Sequence, residues 1–245
     1  MSPKYWRAGI ATLLMFTAVC FAQAKEKNLG PGHDRWTVKT SAKTSQPPKK
    51  ITITKLKALD RLFAPGEKES ATDKAKYDTK VHPKVVGGLH EGQIIEVRHA
   101  YVQLLAREAS HNTTHDDYED ADYHIQVNDT RDEREGCYIV EIPDPQFVSD
   151  ADLKAKVTTA RADILKLLKI TKVSDSGNCI AHPVRMTLVG QLFWDSFHSN
   201  SDKPGGGRGK KQCKQNAATI WELHPVFEVR GEPNVDAGKP ALPCK

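Results

Sequence analysis

"SDADLKAKVTTARADILKLLKI", residues 149–170, is the stretch on which the fold turns. Leu153, Val157, Ala160, Ile164, Leu167 and Leu168 recur at helical spacing and fall on one side of a helix. Ser149 or Asp150 stands where a cap belongs, with a side-chain oxygen to accept from a free N–H of the first turn. On both sides of this segment the period changes to that of β-strands. Upstream lie "QIIEVRHAYVQLLARE" (93–108), "DYHIQVND" (122–129) and "CYIVEIPDP" (137–145), the last stopped by Pro143 and Pro145. Downstream lie "PVRMTLVGQLFWDSF" (183–197) and "TIWELHPVFEVR" (219–230). Three strands, one helix and two strands, with a long first strand, is the order of an OB-like five-stranded barrel whose helix plugs one end. The fold expected is therefore mainly β with one long helix.

The sequence before this core has a different character. Residues 25–50 are rich in Lys, Ser, Thr, Gly and Pro and end in "SQPPKK", interrupted by "DRWTVKT", where Trp36 and Val38 can lie in a groove. "TITKLKALDRLF" (52–63) places Leu56, Leu59 and Leu62 at helical spacing behind the possible caps Thr52 and Thr54, which predicts a short helix. Residues 64–92 are polar and punctuated by Gly and Pro, and they read as a loop or insertion. We therefore divide the chain into a signal peptide (1–24), an irregular N-terminal extension and linker (25–92) and the OB-like domain (93–245).

The first 24 residues have the three parts of a secretory signal. Lys4 and Arg7 precede an apolar run from Ile10 to Phe21, and Ala22-Gln23-Ala24 supplies a small-residue cleavage site. The run is too short for a stable membrane span, and we expect a secreted or periplasmic protein cut near Ala24. Loss of Lys4 and Arg7 lowers the formal net charge from +5 to +3, which neither demands nor excludes a polyanionic partner. Cys137, Cys179, Cys213 and Cys244 then remain, an even set that suits two disulfides in an exported chain. In the expected barrel the third and fifth strands are parallel, so Cys137 and Cys213 meet at their common starting end. The fourth and fifth strands are antiparallel, so the end of the fifth returns toward Cys179, before the fourth, and the tail carries Cys244 to it.

Several stretches together resemble a family of exported, mostly bacterial, uncharacterised proteins. They are "RWTVKT" (35–40), "DADYHIQVND" (120–129), "YIVEIPDP" (138–145), "VRMTLVGQLFWDSFH" (184–198) and "WELHPVFEV" (221–229). The resemblance runs in order over almost the whole mature chain, and it implies export and an OB-like core but no established activity. This chain departs from the family pattern at Ala121, where glycine is usual, at Gln191-Leu192-Phe193-Trp194, where the family is glycine-rich, and at Ser199-Asn200. The cysteine usual after "EIPDP" is also missing.

Chemistry concentrates in three places. In the expected barrel His124, Glu141, Glu222 and His224 come within reach of one another, two imidazoles and two carboxylates that can ligate a divalent ion or serve acid–base chemistry. His124, Glu222 and His224 are the metal candidates within this set. The bland alternative makes them hydrogen-bonded polar groups on a half-exposed sheet face. "SHNTTHDDYEDADYH" (110–124) gathers His111, His115, Asp116, Asp117, Asp120 and Asp122, but without EF-loop spacing it reads as a solvated acidic loop. "DKPGGGRGKKQCK" carries Arg208, Lys210 and Lys211 where OB-folds flank a ligand groove, and Trp194, Phe193 or Tyr138 can stack on bases there. That glycine run lacks the spacing of a phosphate-binding loop, and Asp195, Ser196 and His198 lie in no nucleophile elbow. The expectation is an exported, non-enzymatic binding or interaction module whose ligand class includes nucleic acid and other polyanions. The alternative is a metal-dependent, nuclease-like hydrolase using the His/Glu set; no cofactor is expected in the first reading, and a divalent metal ion in the second.

Overall fold

In the computed structural model the described residues are 35–59, 62–63, 70–108, 121–132, 136–198, 205, 217–233, 235–236 and 238–241. Among these residues four α-helices and eight strands follow one another: α1 (Trp36–Lys39), β1 (Lys49–Ile51), α2 (Ile53–Lys57), α3 (Ala71–Tyr77), β2 (Val85–Val86), β3 (Leu89–His90), β4 (Ile94–Arg107), β5 (Tyr123–Asn128), β6 (Tyr138–Ile142), α4 (Ala151–Leu168), β7 (Asn178–Trp194) and β8 (Trp221–Gly231). The sheet order β4-β5-β6-β8-β7 closes through a β4–β7 pairing into a five-stranded barrel. All contacts around it are antiparallel except β6–β8, which is parallel with Ile139 opposite Glu222. This is the OB-like barrel expected from the element order, and α4 lies where that order requires it.

The pattern in 149–170 explains α4. Asp150 caps it by accepting from the Leu153 amide at 2.8 Å, and Leu153, Val157, Ala160 and Ile164 are buried. The helix packs against β8, β6 and β7 and thereby covers one end of the barrel. The barrel interior is apolar: Val97, Val102, Leu105, Ile125, Val140, Leu188, Leu223 and Val226 join the residues of α4 in one core. Burying these side chains is the main stabilising term, at about 25 cal/mol per Å² of apolar surface.

The segment before β4 is more ordered than a loop reading allows. β1 adds a parallel strand to the first half of β4, and α2 begins at Thr52, whose hydroxyl accepts from the Lys55 amide. Leu56, Leu59 and Leu62 are all buried on the barrel, although α2 itself ends at Lys57. Within 64–92, read above as an irregular loop, α3 and the β2–β3 hairpin form instead. Gly87 and Gly88, both at positive φ, make the two-residue turn between Val86 and Leu89. Arg35 ties the extension down. Its guanidinium meets the buried Glu91 carboxylate through two short contacts, 2.6 and 2.7 Å, and donates to the Trp194 carbonyl at 2.8 Å. Glu91 also accepts from the Trp194 amide at 2.8 Å, so one ion pair joins α1, the hairpin and the end of β7.

Candidate functional site

The site is built by strand alternation. Ile125, Val140 and Leu223 point into the core, so their neighbours His124, Glu141, Glu222 and His224 project from the opposite face of the sheet. His124 and Glu141 are direct cross-strand partners on β5 and β6, and β8 runs alongside β6. This face is covered, contrary to the half-exposed surface considered above: His124, Glu141, Glu222 and His224 are each 0–4% exposed. Phe193 from β7 stands edge-on to His224, and Arg35 lies over the Phe193 ring with its guanidinium carbon 5.2 Å from the centroid. The extension thus roofs the cluster.

Glu141 is its centre. One carboxylate oxygen lies 2.9 Å from His124 Nδ1 and the other 2.9 Å from His224 Nδ1. His124 Nδ1 is also 3.1 Å from Glu108 Oε1, and His224 Nε2 is 3.2 Å from Asp122 Oδ2. The second Asp122 oxygen accepts from the Asp144 amide at 2.8 Å, which fixes that carboxylate. A row therefore runs Glu108, His124, Glu141, His224, Asp122, with the Glu108 side chain 39% exposed at one end and Asp122 fully buried at the other.

The chain brings three of the four sequence candidates into this row. Glu222 stands beside it, its Oε2 3.8 Å from His224 Nδ1. Asp122, assigned above to a solvated acidic loop, is instead buried within the cluster, and Glu108 was not singled out at all. The signal for Asp122 was present, because it lies two residues before His124 and so shares its face. His111, His115, Asp116, Asp117 and Asp120 lie outside the described residues, as do Arg208, Lys210 and Lys211. Trp194, Phe193 and Tyr138 do not offer faces for base stacking. All three are buried, and Trp194 packs edge-on to Trp221 and Phe63. Asp195 and His198 meet at 2.5 Å, remote in character from a nucleophile elbow.

Charge within the row is strongly coupled. Burial pulls the His124 imidazole down, but Glu108 and Glu141 outweigh it and raise its pKa to about 9. Burial acts likewise on His224, and Asp122 and Glu141 raise it to about 9. Burial pushes Glu141 up, and the two imidazoles more than reverse this, holding it well below the usual carboxylate range. Without another cation, both rings carry a proton at neutral pH.

The two imidazoles differ in how they use their neighbours. His124 Nδ1 makes a hydrogen bond to Glu141 of ordinary geometry, 2.9 Å long. Both His224 nitrogens, though 2.9 and 3.2 Å from carboxylate oxygens, lack an aligned hydrogen bond among the described residues. Asp122, Glu141 and His224 each place a ligand atom so that all lie within 4.8 Å of one another, and so do Glu108, His124 and Glu141. No protein-family model, curated protein or solved structure matches this chain.

Proposed function

We propose that this protein is an exported OB-like module that binds a divalent transition-metal ion on its barrel wall through His224, Glu141 and Asp122. The observation that carries this reading is the placement of His224. An imidazolium held by carboxylates aligns its N–H groups on the oxygens, with angles above about 150°. Ligand atoms around a shared ion, at about 2.0–2.2 Å from it, instead lie near 3 Å from one another and off one another's axes. His224 shows the second arrangement: it is fully buried, with its ring nitrogens 2.9 and 3.2 Å from carboxylate oxygens but not aligned on them. Mixed imidazole and carboxylate donors suit zinc, manganese, iron or cobalt rather than calcium.

Titration calorimetry of chelator-treated protein with zinc and manganese, with thermal unfolding in parallel, tests this. Binding by the wild type, a rise in melting temperature, and a reduction of both in His224→Ala are expected. No heat and no shift with either metal would remove the reading.

Export rests on the three-part leader in residues 1–24. Cys137 and Cys179 are both disulfide-bonded, and Cys213 and Cys244 lie outside the described residues. We assign the pairs Cys137–Cys213 and Cys179–Cys244. The Cys137 carbonyl accepts from the Ala218 amide at 2.9 Å, and Cys137 packs on Ala217, four residues after Cys213. Arg131 donates to the Pro240 carbonyl, and Gln103 to the Arg131 carbonyl at 3.3 Å. Leu104, next to Gln103, is paired with Cys179, so the tail passes near that cysteine shortly before Cys244.

A further inference from the structure

The two ligand triads meet at Glu141, one on each side of its carboxylate. The Oε1 atom belongs with His124 Nδ1 at 2.9 Å and, through it, with Glu108 Oε1 at 3.1 Å. The Oε2 atom lies 2.9 Å from His224 Nδ1, and Asp122, 3.2 Å from the other nitrogen of that ring, completes the second set. His124 and His224 fall in different triads, so the single four-ligand shell that the sequence suggests is replaced by two three-ligand sets sharing one residue. A carboxylate with a separate nitrogen donor on each oxygen is the arrangement that bridges two metal ions, which in such centres stand about 3.5–4 Å apart.

We infer that the site is a two-ion centre, with Glu141 as the bridging ligand and Glu108, His124 and Glu141 as a second triad, whose ion replaces the proton now shared between His124 and Glu141. This rests on the metal-binding reading of the first triad. The two positions are unequal. The Asp122–Glu141–His224 position is closed, since all three side chains are at most 5% exposed. The Glu108–His124–Glu141 position opens to solvent past Glu108, which is 39% exposed. Three protein ligands with an opening leave room for water or a small anionic ligand on the ion, whereas a closed shell holds an ion for structure. The same first-row divalent ions suit both positions, because both combine one imidazole with carboxylates. The closed position binds more tightly and the open one exchanges.

Metal content after dialysis and calorimetric stoichiometry, measured with manganese and zinc on the full chain, decide the matter. The wild type is expected to take two ions. Glu108→Gln, at a partly exposed position, is expected to keep the fold by circular dichroism and take one. Glu141→Gln is expected to weaken both positions. The manganese-loaded wild type is expected to give an exchange-coupled electron paramagnetic resonance spectrum, and Glu108→Gln an isolated-ion spectrum. One ion in the wild type, with uncoupled manganese and no change in Glu108→Gln, would overturn the bridge and leave the first position standing. No ion at all would overturn both.

Discussion

Glu232 shows how a single carboxylate outside the candidate site holds the barrel seam. It follows β8 and accepts from the His99 amide at 2.9 Å and the Thr187 hydroxyl at 2.7 Å, with Arg185 at 3.1 Å. His99 sits at positive φ in the β4 bulge, a conformation disfavoured for a residue with a Cβ, so Glu232 stabilises that bulge. Burial raises its pKa, but the His99 amide and side chain and the Thr187 hydroxyl outweigh this and lower it below 4.5. A lowered carboxylate contributes stability above its unfolded pKa and loses it as pH falls through the folded value. Glu232→Gln is thus expected to cost about 1–2 kcal/mol at pH 7. In urea unfolding, that difference should shrink steadily below pH 4.5; a gap that persists undiminished at pH 3 would contradict the assignment. At this scale the sequence showed which residues could be ligands but not their partners. His124 and Glu141 were readable from alternation, whereas Glu108 meets them only because β4 runs antiparallel to β5, which no local pattern records.

Among the elements, β7 and β8 set the geometry of the site. Their register shifts at Gly190, opposite Val226, and His224 and Pro225 occupy the irregularity, with a cis peptide between them. A Cβ on Gly190 would stand 2.8 Å from the Pro225 carbonyl oxygen and 3.1 Å from the Val226 Cα, both backbone atoms that cannot rotate away. Gly190→Ala should therefore destabilise the protein by about 1–3 kcal/mol, the range for overpacking, and weaken metal binding by displacing His224. Unchanged melting temperature and affinity would show that β8 is looser here than its register implies. The strands and α4 were legible because period 2 and period 3.6 are strong signals over long runs. The start of β7 was not, since Pro183 reads as a strand opening and the structure carries the strand back to Asn178 past an irregular pairing with β4. The β2–β3 hairpin is too short for any period, and its Gly87-Gly88 turn was its one sign.

For the whole molecule, the fold follows from element order, and the burial of the His/carboxylate face follows from what covers it. The expected barrel formed, with the parallel β6–β8 contact on which the cysteine argument depends. The cover was not legible, because it is made by Arg35, Glu91 and Phe193 from three distant segments whose pairing is purely tertiary. Two crosslinks at opposite parts of this barrel would each stabilise it by about 2–4 kcal/mol by restricting the unfolded chain. Non-reducing peptide mapping is expected to recover Cys137 joined to Cys213 and Cys179 joined to Cys244. A peptide joining Cys137 to Cys244 would refute that pairing.

The central claim is that the buried row of histidines and carboxylates holds metal. Anomalous diffraction from crystals of the full chain grown with zinc, with data on both sides of the zinc absorption edge, tests it most directly. The account predicts an anomalous peak beside His224 between Asp122 and Glu141, with the second, if occupied, beside His124. A clean map at this row, with zinc found only on surface side chains, would contradict it and leave the row as a protonated structural network.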